Sequence, residues 1–219
     1  MKPDPPAPPL AGTAMACTTV LLAFMSALFA LTGGFEHWTF EDQRRDDARQ
    51  GRLLAPAIQV RTAQGTQRTL WSKPAGDPSV TLVNFIYTSC PTVCQTLGAE
   101  YTQMQHALAA EGGAVHHPIE LVSLSFDVEH DGPAQLSAYA QRHRADPNAW
   151  TIAAPLAGED AKLLLRALGV VVIPDGAGGY VHNGAIHLLD ASGTVLAIYD
   201  DADWEPALAM ALRVSRVAR

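Results

Sequence analysis

Apolar residues in this chain fall into dense runs separated by glycine, proline and charge, and the runs predict an element order. The longest, residues 13–32 (TAMACTTVLLAFMSALFALT), has twenty residues and no charge, the length of one bilayer-spanning helix. A cleaved export signal is the alternative. An anchor is expected, because cleavage after Ala30 would leave Leu28 at the third position back, where a small residue is needed. Cys17 lies at the front of this run and needs no role beyond a small membrane residue. Residues 1–12 carry a proline-rich disordered leader, and charged, poorly patterned residues 33–54 are expected to be a linker.

Beyond the linker the periods change. Residues 58–62 alternate, Gly65 can turn the chain and 67–71 can return, which predicts a hairpin. Residues 80–87 are apolar enough to be a strand covered on both faces. Leu97, Tyr101, Met104 and Leu108 recur at helical spacing within 94–111, and Gly112–Gly113 stops that helix. A strand at 119–126 follows, then a helix at 132–143 with Pro133 as its first residue, a helix at 158–168 stopped by Gly169, and a brief segment at 170–173. Residues 185–189 and 194–199 form a hairpin around Asp190-Ala-Ser-Gly193, and 204–217 is a closing helix. Strand–helix–strand gives a parallel core through a right-handed crossover, and the terminal hairpin adds antiparallel members. The expected class is α/β, a thioredoxin-like fold over 55–219 with an amino-terminal β-hairpin, preceded by one transmembrane helix.

The stretch after the anchor, roughly 185 residues, is enough for one domain with a real core. The formal net charge is −7 with the acids scattered, which excludes a nucleic-acid footprint. Arg44, Arg45, Arg49 and Arg52 behind the anchor outnumber Lys2 before it, against the positive-inside bias. The short leader and a two-cysteine domain nevertheless favour a domain outside the cytoplasm, on the periplasmic face if bacterial.

The chemistry centres on Cys90-Pro91-Thr92-Val93-Cys94, directly after the 80–87 strand. Thiols four residues apart share one helix face, at a rise of roughly 6 Å that also permits a disulfide. Cys90, nearer the free helix amides, is expected to be the more acidic thiol, and Cys94 the more covered one. Such a pair grips a soft metal, Cu(I) with zinc as competitor, once a third donor joins. His182, in the glycine-flanked stretch Gly178-Gly-Tyr-Val-His182-Asn-Gly184, is expected on a flexible loop at the same sheet rim, and His130 is the reserve. His187 belongs to a strand face, His106 to a helix, and His116 and His117 precede a strand far from the cysteines; His37 and His143 have no helpful context. Asp131 before Gly132–Pro133 is expected to cap a helix, and Asp127 is open between rim structure and orienting a ligand.

The segment Phe85-Ile-Tyr-Thr-Ser-Cys-Pro-Thr-Val-Cys94 resembles the signature of the SCO1/SenC family of copper-binding, thioredoxin-like proteins. Ser125, Asp127 and Asp131 match a second family motif, with Val128 in place of its proline. His182-Asn-Gly-Ala-Ile-His187-Leu-Leu-Asp190 matches the segment that carries the family's third copper ligand. The resemblance covers residues 57–212 and implies that Cys90, Cys94 and His182 bind copper. It implies delivery of copper, or reduction of target cysteines, during assembly of the copper centre of cytochrome c oxidase, whose cysteine-bearing subunit would be the partner. Gln95 and Val128 depart from the pattern where a partner would dock. The competing function is an exported thiol–disulfide reductase in which Cys90 attacks and Cys94 resolves. Gln95 after Cys94 excludes haem attachment, which needs histidine there.

Overall fold

The computed structural model describes residues 10–35, 39–74, 76–90, 93–112 and 118–217, and for 10, 11, 93–95 and 217 the backbone alone. Two compact units divide at Arg44/Arg45. The first holds α1 (Leu10–Leu31), whose segment Gly12–Leu31 is long and apolar enough to cross a membrane. Helix α2 (Phe40–Arg49) follows, where a linker was expected. Thr39 and Asp42 cap it reciprocally: the Asp42 carboxylate accepts the Thr39 amide at 3.1 Å, and the Thr39 hydroxyl accepts the Asp42 amide at 3.0 Å.

The second unit begins at Arg45, ten residues before the expected boundary at 55. The reason is packing: Ala48 is buried and Leu53 packs on the same core cluster, while Leu54 bridges Thr194. Its strands are β1 (Ile58–Thr62), β2 (Gln67–Leu70), β3 (Val80–Ile86), β4 (Ile119–Ser125), β5 (Trp150–Pro155), β6 (Val172–Pro174), β7 (Tyr180–His182), β8 (Ile186–Asp190) and β9 (Val195–Tyr199). Helices α3 (Val93–Ala110), α4 (Pro133–Arg142), α5 (Gly158–Ala167) and α6 (Trp204–Val217) connect or close them. Seven strands form one sheet in the order β2-β1-β5-β4-β3-β8-β9.

Strands β3 and β4 pair in parallel from Val80↔Ile119 to Ile86↔Ser125, as their apolar runs imply. All seven β3 residues are buried, so both faces must be covered. Leu82, Ile86, Leu121 and Ile152 face a cluster holding Leu97, Tyr101 and Met104 of α3, Leu136 of α4 and Ala211 of α6. Val83, Phe85, Val122 and Leu124 face the opposite cluster, with Leu164 of α5. Strand β5, absent from the expected order, is parallel to β4 and joins it to the amino-terminal hairpin. The turn between β8 and β9 is as expected: the Asp190 carboxylate accepts the amides of Ser192 and Thr194, both at 2.9 Å, and Gly193 takes φ +94.

Candidate metal centre

Strand β3 ends at Ile86 and delivers Tyr87-Thr88-Ser89-Cys90 to the rim of the sheet. The Cys90 amide donates to the Tyr87 carbonyl at 3.1 Å, which closes a tight turn. Cys90 is 4% exposed and belongs to the core cluster on the α3 face, so this thiol is covered rather than presented to solvent. Helix α3 is described from Val93 and its backbone includes Cys94, while Cys90 itself is not helical. The Cys94 side chain, Pro91 and Thr92 lie outside the described residues, as do His37, His116 and His117.

A buried carboxylate holds the turn. Asp131, 4% exposed, accepts the Thr88 amide at 2.8 Å, the Thr88 hydroxyl at 2.5 Å and the Ser125 hydroxyl at 2.5 Å. It does not cap α4: the cap residue is Gly132, and no side chain bonds there. The neighbours of Asp131 in the chain imply a cap, whereas its partner Thr88 lies 43 positions away. Asp127, also buried, accepts from Nδ1–H of His130 at 2.8 Å. That contact raises the His130 pKa, and its ring is largely exposed, so His130 is committed to Asp127 rather than turned into the core.

His182 lies on β7, not on a loose loop. Strand β7 pairs antiparallel with β6, with Val172 opposite His182 and Ile173 opposite Val181. The Asp175 carboxylate shapes the turn by accepting the Ala177 amide at 2.7 Å and the Gly179 amide at 2.9 Å, bonds that hold its pKa down. The imidazole is half-buried and packs edge-on against Phe126, ring centroids 5.3 Å apart. Burial lowers its pKa, so the ring is neutral near pH 7, the form that can donate a nitrogen lone pair to a metal.

Tyr87 joins the two regions. Its hydroxyl donates to the Tyr180 carbonyl and accepts the Tyr180 amide, each at 3.2 Å. Its ring lies 5.6 Å from Phe126 and 5.2 Å from Tyr180. Partial burial and the carboxylates of Asp127 and Glu129 raise the Tyr180 phenol pKa. None of Tyr87, Thr88, Phe126 or Tyr180 was singled out from residue chemistry, although Tyr87 and Thr88 stand inside the matched signature.

The other histidines are placed elsewhere. His106 is exposed on α3. His187 is fully buried on β8 and edge-on to Phe85 at 5.7 Å. His143 is buried at the end of α4 against Tyr139. Among the described residues, no three His, Cys, Asp or Glu side chains form a metal-binding group, and the Cys94 thiol is not among them. The donors that can be judged suit a soft or borderline ion: a covered thiol and a neutral imidazole.

A mixed sheet with a cysteine turn at the end of one of its buried parallel strands defines a thioredoxin-like protein. The SCO1/SenC family model matches residues 60–217, and the chain belongs to that family. The SCO1 protein homolog of Bacillus subtilis is 28% identical over 129 residues, covering 58% of this chain and 65% of that protein, so the chain spans less than two thirds of that relative. The fold is shared with BsSco, a member of the Sco family of cytochrome c oxidase assembly proteins with an identified disulfide switch (TM-score 0.63, 21% identity, 75% of this chain and 95% of that one). It is also shared with Bradyrhizobium japonicum ScoI with copper bound (TM-score 0.58, 23% identity, 74% of this chain and 99% of that one).

Proposed function

We propose that this protein is a membrane-anchored copper carrier that binds one copper through Cys90, Cys94 and His182 and passes it to a cysteine-bearing subunit during assembly of the cytochrome c oxidase copper centre. Family membership and the copper-bound relative support the cargo. The observation that carries the ligand set is the placement of the neutral His182 ring on a hairpin bonded to Tyr87, whose carbonyl also fixes the Cys90 turn. Two thiolates and one imidazole hold Cu(I) and leave room for an incoming thiolate from the recipient, so transfer proceeds by ligand exchange without free copper. The Gly12–Leu31 helix supplies the anchor, with the domain outside the cytoplasm.

The test is titration of the reduced, full-length protein with Cu(I) against a competing chelator. One tightly bound copper per chain is expected, and its loss when Cys90 and Cys94 are both replaced by serine. Unchanged affinity in that double variant contradicts the proposal.

A second activity uses the same thiols. Thiols four positions apart, Cys90 in the turn after β3 and Cys94 on α3, suit a reversible disulfide, and BsSco has a disulfide switch. Reduction of a target disulfide would pass two electrons and two protons to it, yielding two target thiols as Cys90 and Cys94 join.

A further inference from the structure

We propose that Tyr87 is the positioning residue that sets where His182 stands relative to Cys90, clamping the His182 hairpin to the end of β3. This rests on the copper reading above and adds the device by which two distant parts of the chain are brought to one geometry.

The hairpin of β6 and β7 has three residues in each strand and belongs to a separate two-stranded sheet. Such a ribbon is marginal on its own in water. Its outer face exposes Val171, Ile173 and Val181, so packing on that side does not hold it. What ties its inner face down is a phenol. The Tyr87 hydroxyl satisfies both the carbonyl and the amide of Tyr180, as a neighbouring strand would. Among neutral side chains a hydroxyl can donate and accept from one atom, and phenylalanine of the same shape can do neither.

Two paths run from Tyr87 to His182. One runs through the hydrogen bonds to Tyr180 and then along the chain through Val181. The other is a stack of rings in which Tyr87 packs on Phe126, and Phe126 packs on His182. At its other end Tyr87 accepts the Cys90 amide. The approach is tight: a Cβ on Gly179 would lie 3.2 Å from the Tyr87 hydroxyl, as well as 2.6 Å from Oδ2 of Asp175 in the same hairpin. Metal–ligand distances tolerate only about 0.2 Å of error, so a loosened hairpin lowers the fraction of molecules with the imidazole in range. Cu(II), which depends more on nitrogen donors, suffers more than thiolate-held Cu(I).

The experiment uses the full-length protein in detergent, with Tyr87→Phe, Gly179→Ala and His182→Ala. Amide hydrogen exchange is read without metal, and nitrogen hyperfine coupling is read by electron paramagnetic resonance after Cu(II) loading. In Tyr87→Phe, exchange at Tyr180 and His182 should rise about tenfold while β3 and β4 stay protected. Cu(II) affinity should fall about tenfold, with Cu(I) affinity changed less than about threefold. Gly179→Ala crowds the Tyr87 hydroxyl and the Asp175 carboxylate without altering the Tyr87 ring, and it should give the same pattern even if Tyr87→Phe fails to fold. Unchanged β7 exchange and unchanged nitrogen coupling in the folded variants, beside a His182→Ala control that loses its nitrogen, overturn the clamp and leave the copper reading standing. Nitrogen coupling that survives His182→Ala overturns that reading and this role for Tyr87 together.

Discussion

The Asp131 carboxylate grips Thr88 twice, through the backbone amide at 2.8 Å and the hydroxyl at 2.5 Å, two positions before Cys90. The loop after β4 thereby holds the turn after β3 in place, and the Ser125 hydroxyl supplies a third bond to the same buried carboxylate. Asp131→Ala should cost roughly 3 kcal/mol in urea unfolding, since hydrogen bonds to a charged group are lost and the Thr88 amide is left unpaired. Asp131→Asn, which keeps one acceptor oxygen, should fall between. A loss below about 0.5 kcal/mol in Asp131→Ala would show that the bracket does not hold the turn.

Glu100 on α3 makes stability depend on pH. It is 8% exposed, and its Oε2 has no hydrogen-bond partner among the described residues. Burial first, and the Asp201 carboxylate second, raise its pKa from 4.5 to about 7. The folded state therefore binds the proton more tightly than the unfolded chain. This group's contribution is fully present below pH 4.5 and is lost as pH rises from there through about 7. Glu100→Gln should stabilise the protein by roughly 2–3 kcal/mol at pH 8 and by little at pH 4. Equal effects at both pH values in thermal unfolding would contradict this.

Gly98 is in the middle of α3, where alanine would ordinarily favour the helix by about 1 kcal/mol. Here a Cβ would come within 2.3 Å of Cε1 of His143. Overpacking should win, and Gly98→Ala should destabilise by roughly 1–3 kcal/mol. Adding His143→Ala should recover much of that loss, because the clash is with one ring. Simple additivity of the two changes would place the strain elsewhere.

The sheet centre was legible because β3 and β4 are continuous apolar runs bounded by turn residues. The missing strand β5 reads Trp-Thr-Ile-Ala-Ala-Pro. Two alanines and a terminal proline are weak strand formers, and burial of all six residues removes the alternation that betrays a half-exposed strand. Strand β7 looks like a loop in the sequence because three residues between glycines carry no period; tertiary bonds to Tyr87 make it a strand edge. Helix α2 did carry a signal, the Thr39-x-x-Asp42 cap, but its polar sequence lacks the apolar stripe that draws attention to a helix. Of the site, the cysteine pair and His182 stood out by residue type and motif. The residues that position them did not, since the bonds Tyr87–Tyr180 and Thr88–Asp131 span 93 and 43 positions.

The central claim is a copper site of two thiolates and one imidazole. It is tested most directly by X-ray absorption at the copper edge on the reduced, Cu(I)-loaded protein, beside His182→Ala and Cys90→Ser. The account predicts two sulfur neighbours and one nitrogen in the native protein, sulfur alone in His182→Ala, and one sulfur fewer or no bound copper in Cys90→Ser. A native spectrum that survives either substitution unchanged would contradict it.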